Sequence, residues 1–224
     1  MSRTLAIGDI HGCRKSLESL VTLVDLQSDD RIVFLGDYVD RGPDSRGVID
    51  FIIELSQQIS IITLKGNHEI MMLEAREIRK HLNGWLSVGG AETLDSYQTN
   101  SFDKIPKDHW SFLNNLQPYF ETDSHLFVHA NLYPDCDLCD QPDYMLYWER
   151  LLKNGLFNKP APHYSGKQMI CGHTSQKTGV PLNLEHSVCI DTYAYGGGWL
   201  TCLDVNSGYY WQTNEKGQQN SEFL

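Results

Sequence analysis

Gly36-Asp37-Tyr38-Val39-Asp40-Arg41-Gly42-Pro43 follows directly on the apolar run Ile32-Val33-Phe34-Leu35. A run of that kind opening into a glycine-flanked polar cluster reads as a buried strand ending in a tight turn. The turn carries two carboxylates and one guanidinium. An Asp at the carboxyl end of a buried parallel strand stands where open α/β sheets place their ligands. A second Asp and an Arg on the same turn suit a site that handles both a cation and an anion. Taken alone, the stretch reads equally well as a salt-bridged loop, since short motifs match by chance.

The flanking sequence repeats the pattern. Thr4 to Ile7 reads as a strand running into Gly8-Asp9-Ile10-His11-Gly12, and Ile59 to Leu64 as a strand running into Gly66-Asn67-His68-Glu69. Between them, Leu17, Leu20, Val21 and Val24, then Val48, Ile49, Ile52, Ile53 and Leu55, recur at helical spacing. Asp9 and Asp37 lie 28 residues apart and Asp37 and Asn67 lie 30 apart, the size of a βαβ unit. Right-handed crossovers then put all three clusters on one edge of a parallel sheet.

Residues 81–117 break the pattern. Aromatic and apolar residues are scattered there among polar ones, with Gly89-Gly90 and Ile105-Pro106 as breaks. They read as short helices forming a small helical insertion, whose aromatics serve packing. Strands return at Leu126-Phe127-Val128 before His129-Ala130, at Gln168 to Cys171 before Gly172-His173-Thr174, and at Ser187 to Ile190 before Asp191. Trp199 to Asp204 and Gly208 to Trp211 read as a closing hairpin. The polar tail from Thr213 is expected to be loose. The fold class is α/β, in one domain over 1–224 with two packed sheets.

Composition limits the function. The chain has 224 residues, 41% of them hydrophobic, and a formal net charge of −11. That charge argues against a nucleic-acid partner, which would call for a basic face. No run approaches a membrane span, and the N-terminal apolar run is too short for a secretory signal. The expected location is therefore cytoplasmic, with the six cysteines as free thiols. Cys136-Asp137-Leu138-Cys139 lacks a second pair and reads as structural. Cys13 and Cys171, beside polar strand ends, are candidates for oxidation. Gly196-Gly197-Gly198 lacks the Lys-Ser/Thr ending of a P-loop and reads as a flexible turn.

The strand ends carry Asp9, His11, Asp37, Asn67, His129 and His173. This mixed oxygen and nitrogen set suits Mn, Fe or Zn better than Ca. Six ligands exceed the needs of one catalytic zinc and suit two divalent metal ions sharing a carboxylate, for which Asp37 is the natural bridge. Two such ions clamp a phosphoryl group and activate a bridging water. Arg41 would grip phosphate oxygens, His68 would protonate the leaving oxygen, and Asp40 would orient that imidazole. His81, His109, His125, His163 and His186 read as structural.

These motifs, with Val128-His129-Ala130 and Cys171-Gly172-His173-Thr174, resemble the PPP family of metal-dependent serine/threonine protein phosphatases, in order from residue 5 to about residue 205. The resemblance implies a four-layer α/β/β/α sandwich. It implies one metal on Asp9, His11 and Asp37, and a second on Asp37, Asn67, His129 and His173, most often manganese. A second phosphate-binding arginine follows the fourth motif in the family, and Arg150 in Trp148-Glu149-Arg150 is the candidate. The family usually has Gly where this chain has Asn131. Ser175 in Gly172-His173-Thr174-Ser175 replaces a His found in many wider metallophosphoesterases. The expected activity is hydrolysis of phosphoserine and phosphothreonine, with phosphotyrosine as a further substrate, in a phosphorylated protein or peptide, by direct attack of the metal-bridging water. The alternative is hydrolysis of dinucleoside polyphosphates such as diadenosine tetraphosphate, with Trp85, Tyr97, Trp110 and Tyr144 as rings for base stacking. A non-catalytic scaffold is disfavoured by the intact ligand set.

Overall fold

The computed structural model describes residues 2–153, 156–157 and 161–224. In chain order the strands are β1 (Thr4–Ile7), β2 (Arg31–Phe34), β3 (Ser60–Thr63), β4 (Tyr119–Glu121), β5 (His125–Val128), β6 (Leu152–Lys153), β7 (Leu156–Phe157), β8 (Gln168–Cys171), β9 (Leu182–Asn183), β10 (Ser187–Cys189), β11 (Leu200–Asp204), β12 (Tyr209–Thr213) and β13 (Gln219–Phe223). The α-helices are α1 (Arg14–Val24), α2 (Ser45–Leu55), α3 (Asn67–Glu77), α4 (Leu82–Trp85), α5 (Ala91–Ser96), α6 (Lys107–Asn114) and α7 (Asp143–Tyr147).

Two mixed sheets result. One runs β13-β12-β11-β1-β2-β3, the other β4-β5-β8-β10-β9. Each has a parallel centre, β1-β2-β3 in the first and β5-β8-β10 in the second. Side chains alternate across each strand. Ala6, Val33 and Leu203 of the first sheet therefore meet Phe127, Ile170 and Val188 of the second in a dry layer between them. Leu5, Ile7, Ile32 and Phe34 face the other way, onto Leu17 and Leu20 of α1 and Val48, Ile49 and Ile52 of α2. Leu126, Val128 and Met169 face Leu146 and Tyr147 of α7. The layers are helix, sheet, sheet, helix. All these core side chains are almost completely buried, so the two strand triplets cannot slide without exposing apolar surface.

Residues 81–117 are helical, as expected, and pack into the core under α2 and α3 through Trp85, Leu94, Trp110 and Leu113. The tail differs from expectation. Gln219–Phe223 is a fully paired antiparallel edge strand on β12. Its residues are exposed and, Phe223 apart, polar, because backbone pairing to β12 holds it without a buried face, so composition alone disguises it. Cys13, Cys136, Cys139, Cys171, Cys189 and Cys202 are free thiols. Burial and the nearby Glu215 push Cys13 up to about 12, which makes it a poor thiolate and a poor oxidation site. Among the described residues no helix is long and apolar enough to cross a membrane.

Candidate metal centre and active site

The carboxyl ends of the two parallel triplets face one another across the sandwich edge. β1, β2 and β3 lead to Asp9, Asp37 and Asn67; β5, β8 and β10 lead to His129, His173 and Asp191. The turn after β2 carries unusual backbone. Asp37, Asp40 and Arg41 have φ of 54°, 73° and 70°, beside Gly36 at 104°. Left-handed conformations at non-glycine residues are costly and concentrate where a site needs them. Here they send three side chains of one five-residue turn, those of Asp37, Asp40 and Arg41, into one space. Gly66 is needed for close approach: a Cβ there would sit 2.1 Å from Asp37 Oδ1.

Asp37 is shared by two tight groups of potential ligands, His11-Asp37-His68 and Asp37-His129-His173. The imidazoles of His11, His129 and His173 are each oriented from behind by a backbone carbonyl. His11 Nδ1 meets Val39 O at 2.9 Å, His129 Nδ1 meets Leu35 O at 2.8 Å, and His173 Nε2 meets Trp148 O at 3.1 Å. A carbonyl accepts only, so each of those nitrogens carries the proton and the other turns a lone pair inward. His129 Nε2 and His173 Nδ1 both lie 3.0 Å from Asn67 Oδ1. Acceptors converging on acceptors is the donor chemistry that a cation satisfies. Burial pushes His11 and His173 down to about 3, which keeps both imidazoles neutral. Burial opposes charge on Asp37, but in acid the protonated forms of His129, then His68, His11 and His173, attract its carboxylate and hold it below the usual carboxylate range.

Asp9 borders these groups, with its carboxylate accepting the His173 N–H at 3.0 and 3.1 Å. Burial and the charges of Asp191 and Asp37 push it well up. Asp9, Asp37, Glu69 and Asp191 are all buried at this end of the sandwich. Such a concentration of carboxylates beside inward lone pairs fits bound divalent cations.

His68 Nδ1 and Asp40 Oδ2 are 2.7 Å apart, both fully buried. Burial works against the His68 charge, yet Asp37 and the bond to Asp40 outweigh it and raise the imidazole above its ordinary value. Arg41 Nη1 lies 3.0 Å from His11 Nε2, with its guanidinium 4.6 Å from the centre of the Tyr195 ring. Arg41, Asn67, His68, Trp148, Arg150, Lys177, Tyr193 and Tyr195 line a cavity of about 530 Å³ over Asp9 and Asp37, within the range of small-molecule sites.

Several contributors were not legible as such. Glu69 accepts from the N–H groups of Asp37, Tyr38 and Gly66 at 2.8–2.9 Å and of Val39 at 3.3 Å, holding the turn. The insertion holds Asp40. Trp85 Nε1 donates to both Asp40 oxygens at 3.0 Å, and Thr93 Oγ1 donates to Oδ1 at 2.7 Å. Gly89, read as a break, is a contact point: its carbonyl accepts the Arg41 N–H, and a Cβ there would lie 2.5 Å from that nitrogen. The rings proposed for base stacking are misplaced. Trp85, Tyr97 and Trp110 are buried, and the exposed Tyr144 is not among the cavity-lining residues. Trp148, Tyr193 and Tyr195 line it instead. In the glycine run before Trp199, Gly197 is open, but a Cβ on Gly196 would strike the Tyr193 ring and one on Gly198 the Thr192 carbonyl. Asn131 does not fall in the positive-φ region, and its Oδ1 accepts from Leu132 N at 2.8 Å. His109 sits between Tyr97 and Asp50, and His125, His163 and His81 have local partners away from the cavity, as structural histidines do.

Residues 2–177 match the model of the calcineurin-like phosphoesterase family. A symmetrical bis(5'-nucleosyl)-tetraphosphatase of Coxiella burnetii is 31% identical over 142 residues, which cover 60% of this chain and 44% of the relative. The chain thus spans less than half the length of that curated relative. Among solved structures, a protein provisionally described as a diadenosine tetraphosphatase superposes with a TM-score of 0.67 at 22% identity, covering 99% of this chain and 93% of the other. A cold-active protein-tyrosine phosphatase of a psychrophilic Shewanella gives 0.65 at 17% identity, covering 99% and 80%. At these identities the structural likeness speaks for the fold alone.

Proposed function

The chain belongs to the calcineurin-like phosphoesterase family, and on that premise we propose that it hydrolyses dinucleoside tetraphosphates at a two-metal site. The observation that carries this reading is the cavity above Asp37. Phosphate recognition accounts for Arg41, Arg150 and Lys177 in its wall. It leaves Trp148 and Tyr193 unexplained, whereas a nucleobase stacks on such rings. The sequence by itself ranks phosphoproteins first and dinucleoside polyphosphates second. The named tetraphosphatase relatives support the second ranking better.

Asp9, His11 and Asp37 would hold one ion and Asp37, Asn67, His129 and His173 the other, manganese foremost, with iron or zinc as alternatives. Bound there, the ions would polarise phosphate oxygens and acidify a water. Arg41 and Arg150 bind the remaining phosphate oxygens, Arg41 being held in place by Tyr195. His68, oriented by Asp40, gives its proton to the leaving oxygen. The attacking water forms one P–O bond and releases a proton, a bridging P–O bond at the central anhydride breaks as its oxygen takes the His68 proton, and the released proton restores the imidazole, leaving two nucleoside diphosphates.

The test is a direct comparison of kcat/KM for diadenosine tetraphosphate and a phosphoserine peptide, each with Mn, Fe, Zn and Mg. The dinucleotide is expected to be the better substrate by at least about tenfold. A phosphopeptide turned over faster than the dinucleotide would overturn this ranking in favour of a phosphoprotein phosphatase.

A further inference from the structure

We infer that Tyr193 and Lys177 form a nucleoside subsite at the cavity wall, where the base stacks on the Tyr193 ring and the Lys177 ammonium meets a phosphate of the attached chain. The inference rests on the dinucleotide reading and adds the residues that would give it specificity.

The backbone around Tyr193 is organised to present the ring. Tyr193 is a non-glycine residue at φ 67°. Its N–H donates to Asp191 Oδ1 at 3.1 Å, and its carbonyl accepts from Gly196 N at 3.1 Å and Gly198 N at 3.0 Å. Gly196 has no room for a side chain, because a Cβ would stand 1.9 Å from Tyr193 Cε1. A strained conformation persists only where its surroundings over-determine it, and such positions cluster at ligand sites. The ring is half-buried, makes an edge contact with Tyr195 at 4.8 Å, and so joins the wall that reaches His11 and Arg41. A base on Tyr193 therefore sits one ring away from the phosphate-binding guanidinium, as a short phosphate chain requires.

Lys177 Nζ lies 5.4 Å from the Tyr193 ring centre. An exposed cation over a ring is worth roughly a two- to fivefold gain, whereas a base stacked on one is worth roughly 5- to 150-fold. An incoming base therefore displaces the ammonium. The freed charge is then beside the nucleotide, where a phosphate oxygen is its natural partner. The ring and the lysine act as one unit: the base needs the ring face, and the phosphate needs the lysine that left it.

Calorimetric titration of the manganese-loaded protein with ADP and with pyrophosphate separates these roles. For Tyr193→Gly, in which glycine keeps the φ of the native turn, the affinity ratio of ADP to pyrophosphate should fall about tenfold or more. Tyr193→Phe, which retains the ring, should keep the wild-type ratio. Lys177→Met should weaken both ligands by at least about threefold. An unchanged ratio in Tyr193→Gly, or a Tyr193→Phe variant as impaired as the glycine variant, would overturn the stacking role. Undiminished affinities in Lys177→Met would overturn the phosphate role. Because binding is read without turnover, a wild-type protein that prefers phosphopeptides in the kinetic comparison would refute the proposed substrate separately from this subsite.

Discussion

Trp85→Phe isolates the hold of the helical insertion on the acid pair. Asp40 is fully buried and its carboxylate is met by three donors: His68 Nδ1, Trp85 Nε1 and Thr93 Oγ1. Phenylalanine keeps an aromatic body against Phe102, whose ring stacks on Trp85 at 5.4 Å, and removes the one N–H that bridges both carboxylate oxygens. A hydrogen bond to a charged group contributes about 1.5–3 kcal/mol. At about 1.4 kcal/mol per factor of ten, that bounds the effect at roughly 10- to 150-fold. Part of it will appear as lost stability. The rest acts on His68, in a direction set by chemistry. With one donor fewer, Asp40 becomes more basic, grips the imidazolium harder and makes His68 a weaker acid. The loss should therefore grow with the need to protonate the leaving oxygen. We expect kcat to fall about tenfold with phenyl phosphate and clearly less with p-nitrophenyl phosphate, whose leaving group departs readily as an anion. Equal losses on the two esters, or no loss on either, would refute the argument that Trp85 acts through Asp40 on proton transfer. A purely structural role lowers the melting temperature and leaves the ratio of the two esters unmoved.

Asp37→Asn should reduce bound metal from about two ions per chain and lower turnover by more than the roughly 10- to 100-fold typical of disturbing a ligand's supporting hydrogen bonds; metal analysis and steady-state kinetics check both. Glu69→Gln places an amide NH₂ against N–H groups that now find a carboxylate oxygen. A cost of about 1–3 kcal/mol corresponds to a fall in melting temperature of roughly 2–12 °C by calorimetry, and an unchanged value would count against Glu69 as the clasp of the turn. Asp30 pairs with Arg3, and although burial opposes its charge, Arg3 and the Gln27 N–H hold the carboxyl below its ordinary 3.8. A depressed folded-state value means that the stabilisation is complete above the unfolded value of about 3.9 and is lost as pH falls through the lower folded one. The stability gap between wild type and Asp30→Asn, read by urea unfolding, should therefore be open at pH 7 and narrowed at pH 3; an equal gap at both would contradict the ion pair.

The strand ends were readable because two local rules coincide there. A buried strand must be apolar, and the first polar residues after it must stand at the sheet edge; that places Asp9, Asp37, Asn67, His129 and His173 from sequence position alone. Asp40, Arg41 and His68 follow by adjacency. Other features depend on contacts between residues distant in sequence. Nothing near Trp85 or Thr93 shows that they will meet Asp40, 45 and 53 positions away. Aromatic content in residues 81–117 gives no sign of which rings are consumed by packing, so Trp85, Tyr97 and Trp110 went to the core while Tyr193 and Tyr195, in a stretch that looks like a loose glycine turn, became cavity wall. The edge strand Gln219–Phe223 was hidden for a related reason: backbone pairing holds it, and pairing leaves no trace in side-chain polarity. The amino-acid pattern alone carried the α/β class, the first parallel strand triplet and the charged turn at Gly36–Pro43; that β5, β8 and β10 also run parallel came from the fold. Only the tertiary structure decided which distant side chains grip that turn and what kind of surface stands above it, because these follow from how the two sheets and the insertion close over the strand ends.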